Sequence, residues 1–325
     1  MKNTHLLIAM LICFGGVALA DQPGVMQPPK VMIGVWYQPV SSFDTWKARG
    51  INTMVGIVID PAIPPEDYVK AAHEAGFYVI GKDVAADAWE QPDEPDGAGA
   101  TPAEKIVENY KNWKALPGGA AKPVFVNFDG WRSQYVPADN YIQYCKGADW
   151  IAYDWYILNH GDGPGAIPRI GERYEKFKEW SGGNKKIFVF IETCDSNIKV
   201  QDWAQANDAT GTPLAPKMRG PTPEEMKKEV EVSMQHGASG IIYFPHVIGK
   251  WWEKFDGTPP ENEAAMKEIN AKLGGAPLKT LPIKPVTIPP LVPLAPTTKA
   301  AAGDAPLEGR EVTIDGVTYI LKRKN

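Results

Sequence analysis

The chain has 325 residues, of which 44% are hydrophobic and 22% are charged, with 34 Lys and Arg against 39 Asp and Glu. A chain of this length and composition can bury a large core, as one big domain or two ordinary ones, so disorder is excluded for most of it. The net charge of −5 disfavours nucleic acid as a partner, because phosphate binding requires a basic surface. A neutral or polar ligand fits this balance better.

The N-terminus has the three-part pattern of a cleavable export signal. Lys2 precedes an apolar run from Leu6 to Ala18, and Ala18-Leu19-Ala20 stands before Asp21. We therefore predict that residues 1–20 are a signal peptide cleaved after Ala20, and that the protein is secreted or periplasmic. No later apolar stretch is long enough to predict a transmembrane helix.

Eight short runs rich in β-branched and aromatic residues follow. They are predicted strands at 31–37, 51–59, 77–82, 84–89, 123–128, 149–155, 186–192 and 240–245. The runs are apolar almost throughout and do not alternate with polar residues. This is typical of parallel strands that are covered on both faces.

Amphipathic, charge-bearing segments separate these strands. They predict helices at 42–49, 65–75, 102–116, 139–146, 169–180 and 223–236, and a last helix at 261–273. Two of them open with TPAE and TPEE, in which Thr can cap the helix and Pro suits its first position. Several end at a glycine, as is common at helix C-termini.

Eight such units predict an α/β fold, a single (β/α)8 TIM barrel over residues 21–275. The weakest point lies between Lys82 and Val84, where no helix separates strands three and four. A doubly wound open sheet is the alternative fold. That fold usually has a glycine-rich phosphate loop after its first strand, and here the position reads WYQPVSS.

The composition changes after the last helix. Residues 276–309 are proline-punctuated and predict an extended linker. Residues 310–325 contain two alternating runs around Asp315-Gly316, which predict a C-terminal β-hairpin. A lone hairpin is marginally stable in water. It is therefore expected to pack on the barrel or to dock on a surface or partner, with a loosely ordered tail as the alternative.

Two cysteines remain after the predicted cleavage, Cys145 and Cys194. Export would permit a disulfide between them. The predicted layout places them near opposite ends of the barrel, where bridging geometry fails, so two buried thiols are favoured.

Polar and aromatic residues gather at the predicted carboxyl ends of the strands, where the βα loops of a barrel converge on one pocket. Aromatic rings stack on sugar rings while carboxylates and amides bind hydroxyls, so this mixture is typical of a carbohydrate cleft. Packing under a loop is the alternative for each tryptophan. The predicted substrate-binding residues are Trp36, Tyr37, Asp60, Lys82, Trp89, Asn127, Asp129, Trp131, Asp154, Trp155, Tyr156 and His246.

Two short motifs resemble those of clan A glycoside hydrolases. The run QPDEPD stands at the end of strand four, and FIET stands at the end of strand seven. The resemblance implies Glu94 as acid/base and Glu192 as nucleophile. Asp93 stands where that group typically has Asn before the glutamate, and this difference keeps a non-catalytic protein possible.

Position independently supports a pair of carboxyl groups. Retaining cleavage requires an acid and a nucleophilic carboxylate held about 5 Å apart, and strands four and seven lie nearly opposite each other. Glu90 is the alternative acid, because the boundary of strand four is uncertain. Asp195 is the alternative nucleophile, and Asp154 becomes one only if the strand count is wrong by one. If none of these acids is catalytic, the acidic run is a solvated loop.

The sequence thus predicts a secreted retaining glycoside hydrolase that cleaves a β-linked oligo- or polysaccharide. The alternative is a non-catalytic carbohydrate-binding or structural barrel, presented on a surface or assembly by its tail. No cofactor or metal is expected, since the five histidines are scattered and lack a cluster with metal-ligand spacing. A nucleophile elbow of the esterase type is missing from the sequence.

Overall fold

The computed structural model describes residues 26–58, 60, 62–97, 101–196, 218–249 and 253–275, and the backbone of two strands at 311–314 and 317–320. The chain divides into two compact units, Met1–Ile283 and Lys284–Asn325. The predicted signal peptide and proline-rich linker lie outside the described residues.

The first unit is a closed barrel of eight parallel strands in sequential order, which confirms the predicted fold. Pairing of Met32 with Gly240 and of Val35 with Tyr243 joins the first strand to the last. The strands are β1 (Met32–Trp36), β2 (Thr53–Val55), β3 (Tyr78–Gly81), β4 (Ala88–Glu90), β5 (Val124–Asp129), β6 (Trp150–Asp154), β7 (Lys186–Glu192) and β8 (Gly240–Phe244).

Helices cover the outside of the barrel. In the described ranges they are α1 (Phe43–Ala48), α2 (Pro65–Glu74), α3 (Ala103–Ala115), α4 (Ala138–Cys145), α5 (Arg169–Trp180), α6 (Pro223–Gln235) and α7 (Pro260–Gly275). The TPEE sequence forms the predicted cap, since Thr222 and Glu225 make a reciprocal capping box. The TPAE sequence does not, because α3 begins after Pro102 without a side-chain cap.

No helix lies between β3 and β4, as the sequence indicated, but β4 starts four residues later than predicted. The intervening turn is held by Asp87, whose carboxylate accepts hydrogen bonds from the backbone N–H of Met26 (2.9 Å) and of Val79 (2.8 Å). Val84, placed in the strand by its apolar character, is 68% exposed. The strand therefore consists of Ala88, Trp89 and Glu90 alone.

Alternation along each strand separates two apolar layers. Inward side chains fill the barrel, and outward ones pack under the helices. The inner layer includes Trp36, Phe125, Trp150, Phe188, Phe190, Ile242 and Phe244. The outer layer includes Ile33, Val35, Phe128, Tyr153, Phe177 and Ile191. By the same alternation Glu90, Asn127, Asp154 and Glu192 start on the inner face near the carboxyl ends.

Smaller elements complete the two units. Strands β9 (Val247–Ile248) and β10 (Glu253–Lys254) form an antiparallel ribbon after β8. The predicted C-terminal hairpin is confirmed as β11 (Glu311–Ile314) paired antiparallel with β12 (Val317–Ile320). Cys145 and Cys194 are both buried and free, as predicted. None of the described helices has the length and apolar character needed to cross a membrane.

Candidate active site

The acidic run after β4 holds Glu94 in an unusual backbone conformation. Glu94 has a φ of +41°, in the left-handed region that glutamate rarely adopts. Its N–H donates to the carbonyl of Asn127 (3.1 Å) and its own carbonyl accepts from Gly97 (2.8 Å). Pro92 and Pro95 restrict the backbone on both sides. Strained residues of this kind cluster at functional sites, so the geometry marks Glu94 as a candidate.

The half-buried Glu94 side chain is hydrogen-bonded to the carboxyl group of Asp154, the last residue of β6. Burial and the repulsion from nearby acids raise the pKa of Glu94 to about 7 and the pKa of Asp154 well above its ordinary value. Two carboxyl groups in contact cannot both ionise at low cost, so they share one proton near neutral pH.

Two donors hold the Asp154 carboxyl group in place. Asn127 Nδ2 lies 3.1 Å and the Tyr156 hydroxyl 3.3 Å from Asp154 Oδ2. The same Asn127 nitrogen also donates to Asp93 Oδ1 at 3.0 Å. Burial and the charge of Glu94 outweigh these donors and raise the pKa of Asp154 well above its ordinary value, so Asp154 holds the shared proton and its hydrogen bond lowers the pKa of Glu94. The structure thus brings together three predicted site residues, Asn127, Asp154 and Tyr156, around Glu94.

Asp96 and Asp129 support the same end of the barrel. Asp96 is buried and accepts from the Tyr141 hydroxyl (2.6 Å) and from the backbone N–H of Asp129 (3.2 Å). Asp129 accepts from the N–H of Arg132 at 2.7 Å, which anchors the start of the following loop. Both carboxylates repel charge on Glu94 and help to raise its pKa.

Glu192, at the end of β7, has a different set of partners. Its Oε1 accepts from the N–H of Leu158 (2.7 Å), and its Oε2 accepts from the N–H (3.0 Å) and the side-chain nitrogen (2.6 Å) of Asn159. The residue is only 1% exposed. Glu192 therefore ties the loop after β6 to β7, within a closed environment.

A second carboxyl group shares this environment. Glu229 on α6 is also 1% exposed and is hydrogen-bonded to both the carboxyl group and the backbone N–H of Glu192. Burial and the charge of Glu192 raise the pKa of Glu229 well above its ordinary value. Because Glu192 accepts three N–H bonds, it is the ionised member and Glu229 holds the proton. Nothing in the sequence distinguished Glu229 from an exposed helix residue.

Tyr37 and Glu90 form a third contact at the mouth. The Tyr37 hydroxyl donates to Glu90 Oε1 at 3.0 Å, and Tyr37 has a φ of +35°. Its ring lies against Gly56, where a Cβ atom would stand 2.1 Å from Tyr37 Cε2. Trp36 packs edge-on against the same ring, with centroids 4.6 Å apart. A glycine at position 56 is therefore required for Tyr37 to reach Glu90.

Replacing Gly56 by Ala tests this requirement. We expect a loss of roughly 2–4 kcal/mol in the free energy of unfolding, from left-handed strain plus overpacking against Tyr37. Urea denaturation measures it. Gly118 is a matched control, because it has a similar positive φ of +74° but no atom within 4 Å of the added Cβ. Equal losses in G56A and G118A would show that the ring contact contributes nothing.

Two of the predicted cleft tryptophans lie elsewhere. Trp89 points outward from β4 and stacks on Trp113 of α3, with ring centroids 5.5 Å apart. Trp155 belongs to the outer layer, with the guanidinium of Arg169 4.7 Å from its ring centroid. Their assignment to the cleft is corrected, because the alternation of β4 and β6 turns both rings toward the helices. Trp131 is half-buried after β5 and packs edge-on against Tyr135 at 5.1 Å.

The remaining predicted residues lie near the carboxyl ends of strands, and their side chains differ in exposure. His246 is 2% exposed, and its Nε2 lies 2.9 Å from the carbonyl oxygen of Trp36 while Nδ1 contacts Glu253. It therefore supports the β8 end and does not line the cleft. Asp60 is exposed and accepts from the N–H of Ala62. Lys82 is exposed, and its charge lowers the pKa of Glu90.

No group of three or more His, Cys, Asp or Glu side chains in the described ranges is arranged to hold a metal ion. The chemistry that the arrangement itself supports is proton transfer, since Glu90 and Glu94 both have a pKa of about 7.

Comparison with known proteins locates this fold. No family model matches the sequence, and no curated protein sequence matches it. Several solved structures are similar to the barrel. A GH2 β-galacturonidase from Eisenbergiella tayi, bound to galacturonate, has a TM-score of 0.50 at 14% identity, over 76% of this chain and 52% of that chain.

Two further glycoside hydrolase structures are similar at lower scores. The GH17 β-1,3-glucanosyltransferase from Rhizomucor miehei has a TM-score of 0.45 at 13% identity, over 66% of this chain and 86% of that chain. A GH128 endo-β-1,3-glucanase from Amycolatopsis mediterranei has a TM-score of 0.42 at 15% identity, over 73% of this chain and 99% of that chain. At these identities the likeness shows the fold alone. The chain is a (β/α)8 barrel protein.

Proposed function

We propose that this protein is a glycoside hydrolase that cleaves a β-linked oligo- or polysaccharide with Glu94 as its acid/base. The carrying observation is the Glu94–Asp154 pair, which keeps a proton near neutral pH at the carboxyl end of the barrel. A general acid is most effective when its pKa lies near the working pH. Glu94 would protonate the glycosidic oxygen and later remove a proton from water.

Asp154 supports this role and is not the opposing carboxylate. Retaining and inverting hydrolases separate their two carboxyl groups by about 5–9.5 Å, to leave room for the sugar or a water. Asp154 is in hydrogen-bonding contact with Glu94, which leaves no such room. Its part is to orient Glu94 and to hold the shared proton.

Glu192 is the proposed nucleophile of a retaining mechanism. Burial raises the pKa of Glu192, while its three N–H donors and the hydrogen bond from Glu229 lower that pKa and favour the ionised form that a nucleophile requires. Its burial has a consequence, since attack on a sugar requires the loop at Leu158 and Asn159 to release one carboxylate oxygen. The same enclosure favours a second candidate, a carbohydrate-binding barrel without catalysis. Hydrolysis by the wild type separates the two.

The basic test is a panel of β-linked polysaccharides with reducing-sugar detection. We expect release of reducing ends by the wild-type protein from at least one of them. Binding to a polysaccharide without cleavage would favour the non-catalytic candidate. If the protein neither binds nor cleaves any of these polysaccharides, both candidate functions are contradicted.

Replacing Asp154 by Asn tests the proton-sharing pair. The hydrogen bond from Asp154 lowers the pKa of Glu94, and an amide is a weaker donor than a carboxylic acid, so the pKa of Glu94 should rise in D154N. The alkaline limb of the kcat/KM profile should move to higher pH by about one unit, and kcat should fall about 10-fold or more at neutral pH because Glu94 is less well oriented. An exposed acid on α5, changed in E179Q, is the control. An unmoved limb in D154N contradicts the pairing.

Export is part of the proposal. It rests on the N-terminal pattern that ends at Ala20 and predicts a mature chain starting at Asp21. N-terminal sequencing of the protein from culture medium or periplasm tests it. Docking of the C-terminal hairpin on a surface or partner also remains a proposal.

A further inference from the structure

Glu90 presents an unused acceptor inside the barrel. It is the last residue of β4 and is 2% exposed. Its Oε1 accepts from the Tyr37 hydroxyl, whereas Oε2 has no hydrogen-bond partner among the described residues. Buried carboxylate oxygens are normally satisfied, so an orphaned one at the mouth of a barrel points to a ligand group.

Asn127 on the adjacent strand has the same property. Its Nδ2 is used by Asp93 and Asp154, which fixes the orientation of the amide. Its Oδ1 is buried and likewise has no partner within the described ranges. Glu90 and Asn127 both start on the inner face of neighbouring strands, and Asp93 interacts with each of them. The two free oxygens are therefore acceptors in one region.

The position of Glu90 is built and not incidental. Tyr37 reaches it through a left-handed backbone and the space left by Gly56. The strained backbone of Tyr37 and the glycine at position 56 thus both serve one hydrogen bond to Glu90. Such an arrangement fixes the carboxyl group so that Oε2 has a defined direction.

The charges around these oxygens decide which ligand fits. The acids of the mouth are Glu90, Asp93, Glu94, Asp96, Asp129 and Asp154, while the cations that act on them are Lys82 on Glu90 and Asp93, and Arg132 on Asp129. The excess of acids repels a carboxylate. Two acceptors without donors match a ligand that supplies N–H or O–H groups.

We infer that Glu90 Oε2 and Asn127 Oδ1 form a subsite for a hydroxyl or amine of a sugar that has no carboxylate. This inference rests on the proposed carbohydrate function and goes beyond it, because it assigns the substrate class. It also separates this protein from the galacturonate-bound barrel that it resembles in fold.

Binding without turnover tests the inference. The full-length E94Q protein, in which turnover is disabled under the proposed function, is applied to immobilised β-linked oligosaccharides in matched neutral, amino and uronic forms. We expect the neutral or the amino form to bind. The uronic form should bind at least about 10-fold more weakly. Adding E90Q to the E94Q protein should weaken its affinity for the oligosaccharide that binds by about 10- to 100-fold, the usual value of a charge-assisted hydrogen bond.

The controls separate the possible results. E108Q removes an exposed carboxylate of α3, 58% exposed, and should leave binding unchanged. Y37F keeps the Glu90 charge but removes its hydrogen bond, and a several-fold loss is expected, with thermal unfolding to confirm that both variants fold. High salt weakens an amine contact and spares a hydroxyl contact, which tells the two donors apart.

Preferred binding of the uronic form overturns the inference, as does equal binding by the E90Q and E108Q proteins. Either result leaves the proposed hydrolase intact if the wild type still cleaves a polysaccharide. Failure of all three forms to bind overturns the inference, and absence of cleavage in the separate polysaccharide panel is what removes the hydrolase. The two failures are therefore distinguishable.

Discussion

Replacing Glu94 by Gln is expected to lower kcat by about 10²- to 10⁴-fold, the usual contribution of a general acid. Glutamine preserves the size of the side chain and the strained turn between Pro92 and Pro95, but it cannot release a proton. The measurement is kcat on the polysaccharide that the wild type cleaves best. E108Q on α3 is the matched control, since it removes one exposed carboxylate that pairs with Lys105 on the same helix.

The same variant has a second readout that does not depend on substrate. The pKa of Glu94 is raised to about 7, so its ionisation destabilises the fold as pH rises from its ordinary value through that range. E94Q removes this loss. At pH 8 it should be more stable than the wild type by roughly 1–3 kcal/mol, and below pH 4 the difference should vanish. Full activity together with an unchanged pH dependence would remove Glu94 from the mechanism.

Replacing Glu192 should affect both stability and activity. E192Q presents an amide in place of an anion to the N–H groups of Leu158 and Asn159. At least one of these donors loses its acceptor, so we expect a loss of about 2–4 kcal/mol in the free energy of unfolding. If Glu192 is the nucleophile, kcat falls by several orders of magnitude as well. Urea unfolding and initial rates measure the two effects in parallel.

Glu229 supplies the matched control. In E229Q the amide still donates to Glu192 and cannot ionise, so stability and activity should stay within a few-fold of the wild type. If Glu192 is purely structural, its replacement lowers stability and azide does not restore turnover. Azide should restore turnover to Glu192→Ala only if the missing carboxylate attacks the sugar, because the small anion then takes its place. An E192Q protein with wild-type turnover would end the nucleophile assignment.

The barrel could be predicted from the sequence because its signals are local. Each strand is a short apolar run, and most helices begin and end at residues that suit helix termini. The error at β4 has a local cause too. Val84, Ala85 and Ala86 have the composition of a strand, but Asp87 binds the neighbouring backbone and delays the strand to Ala88.

That delay explains the main errors in the candidate site. With β4 ending at Glu90, alternation sends Trp89 outward and Glu90 inward, whereas the predicted boundary placed Trp89 at the mouth. Glu90 was considered only as an alternative acid. A correct boundary would have pointed to its inward position.

The partners of the carboxyl groups could not be predicted at all. Glu94 meets Asp154, and Glu192 meets Glu229, across long stretches of chain. The sequence shows which residue types are present at strand ends, but the choice of contacts depends on loop geometry. The left-handed conformation of Glu94 is a further example, since only its flanking prolines hinted at a rigid turn.

The three-residue length of β4 limits how this barrel can change. Asp87 fixes the entry into the strand, and the following residues alternate between helix layer and interior. One residue gained or lost before Ala88 would exchange the two faces, burying a carboxylate against α3 and driving an indole into the mouth. Diversification of ligand preference at this wall is therefore expected to proceed by point substitution, because a shift in register would exchange the two faces of the strand.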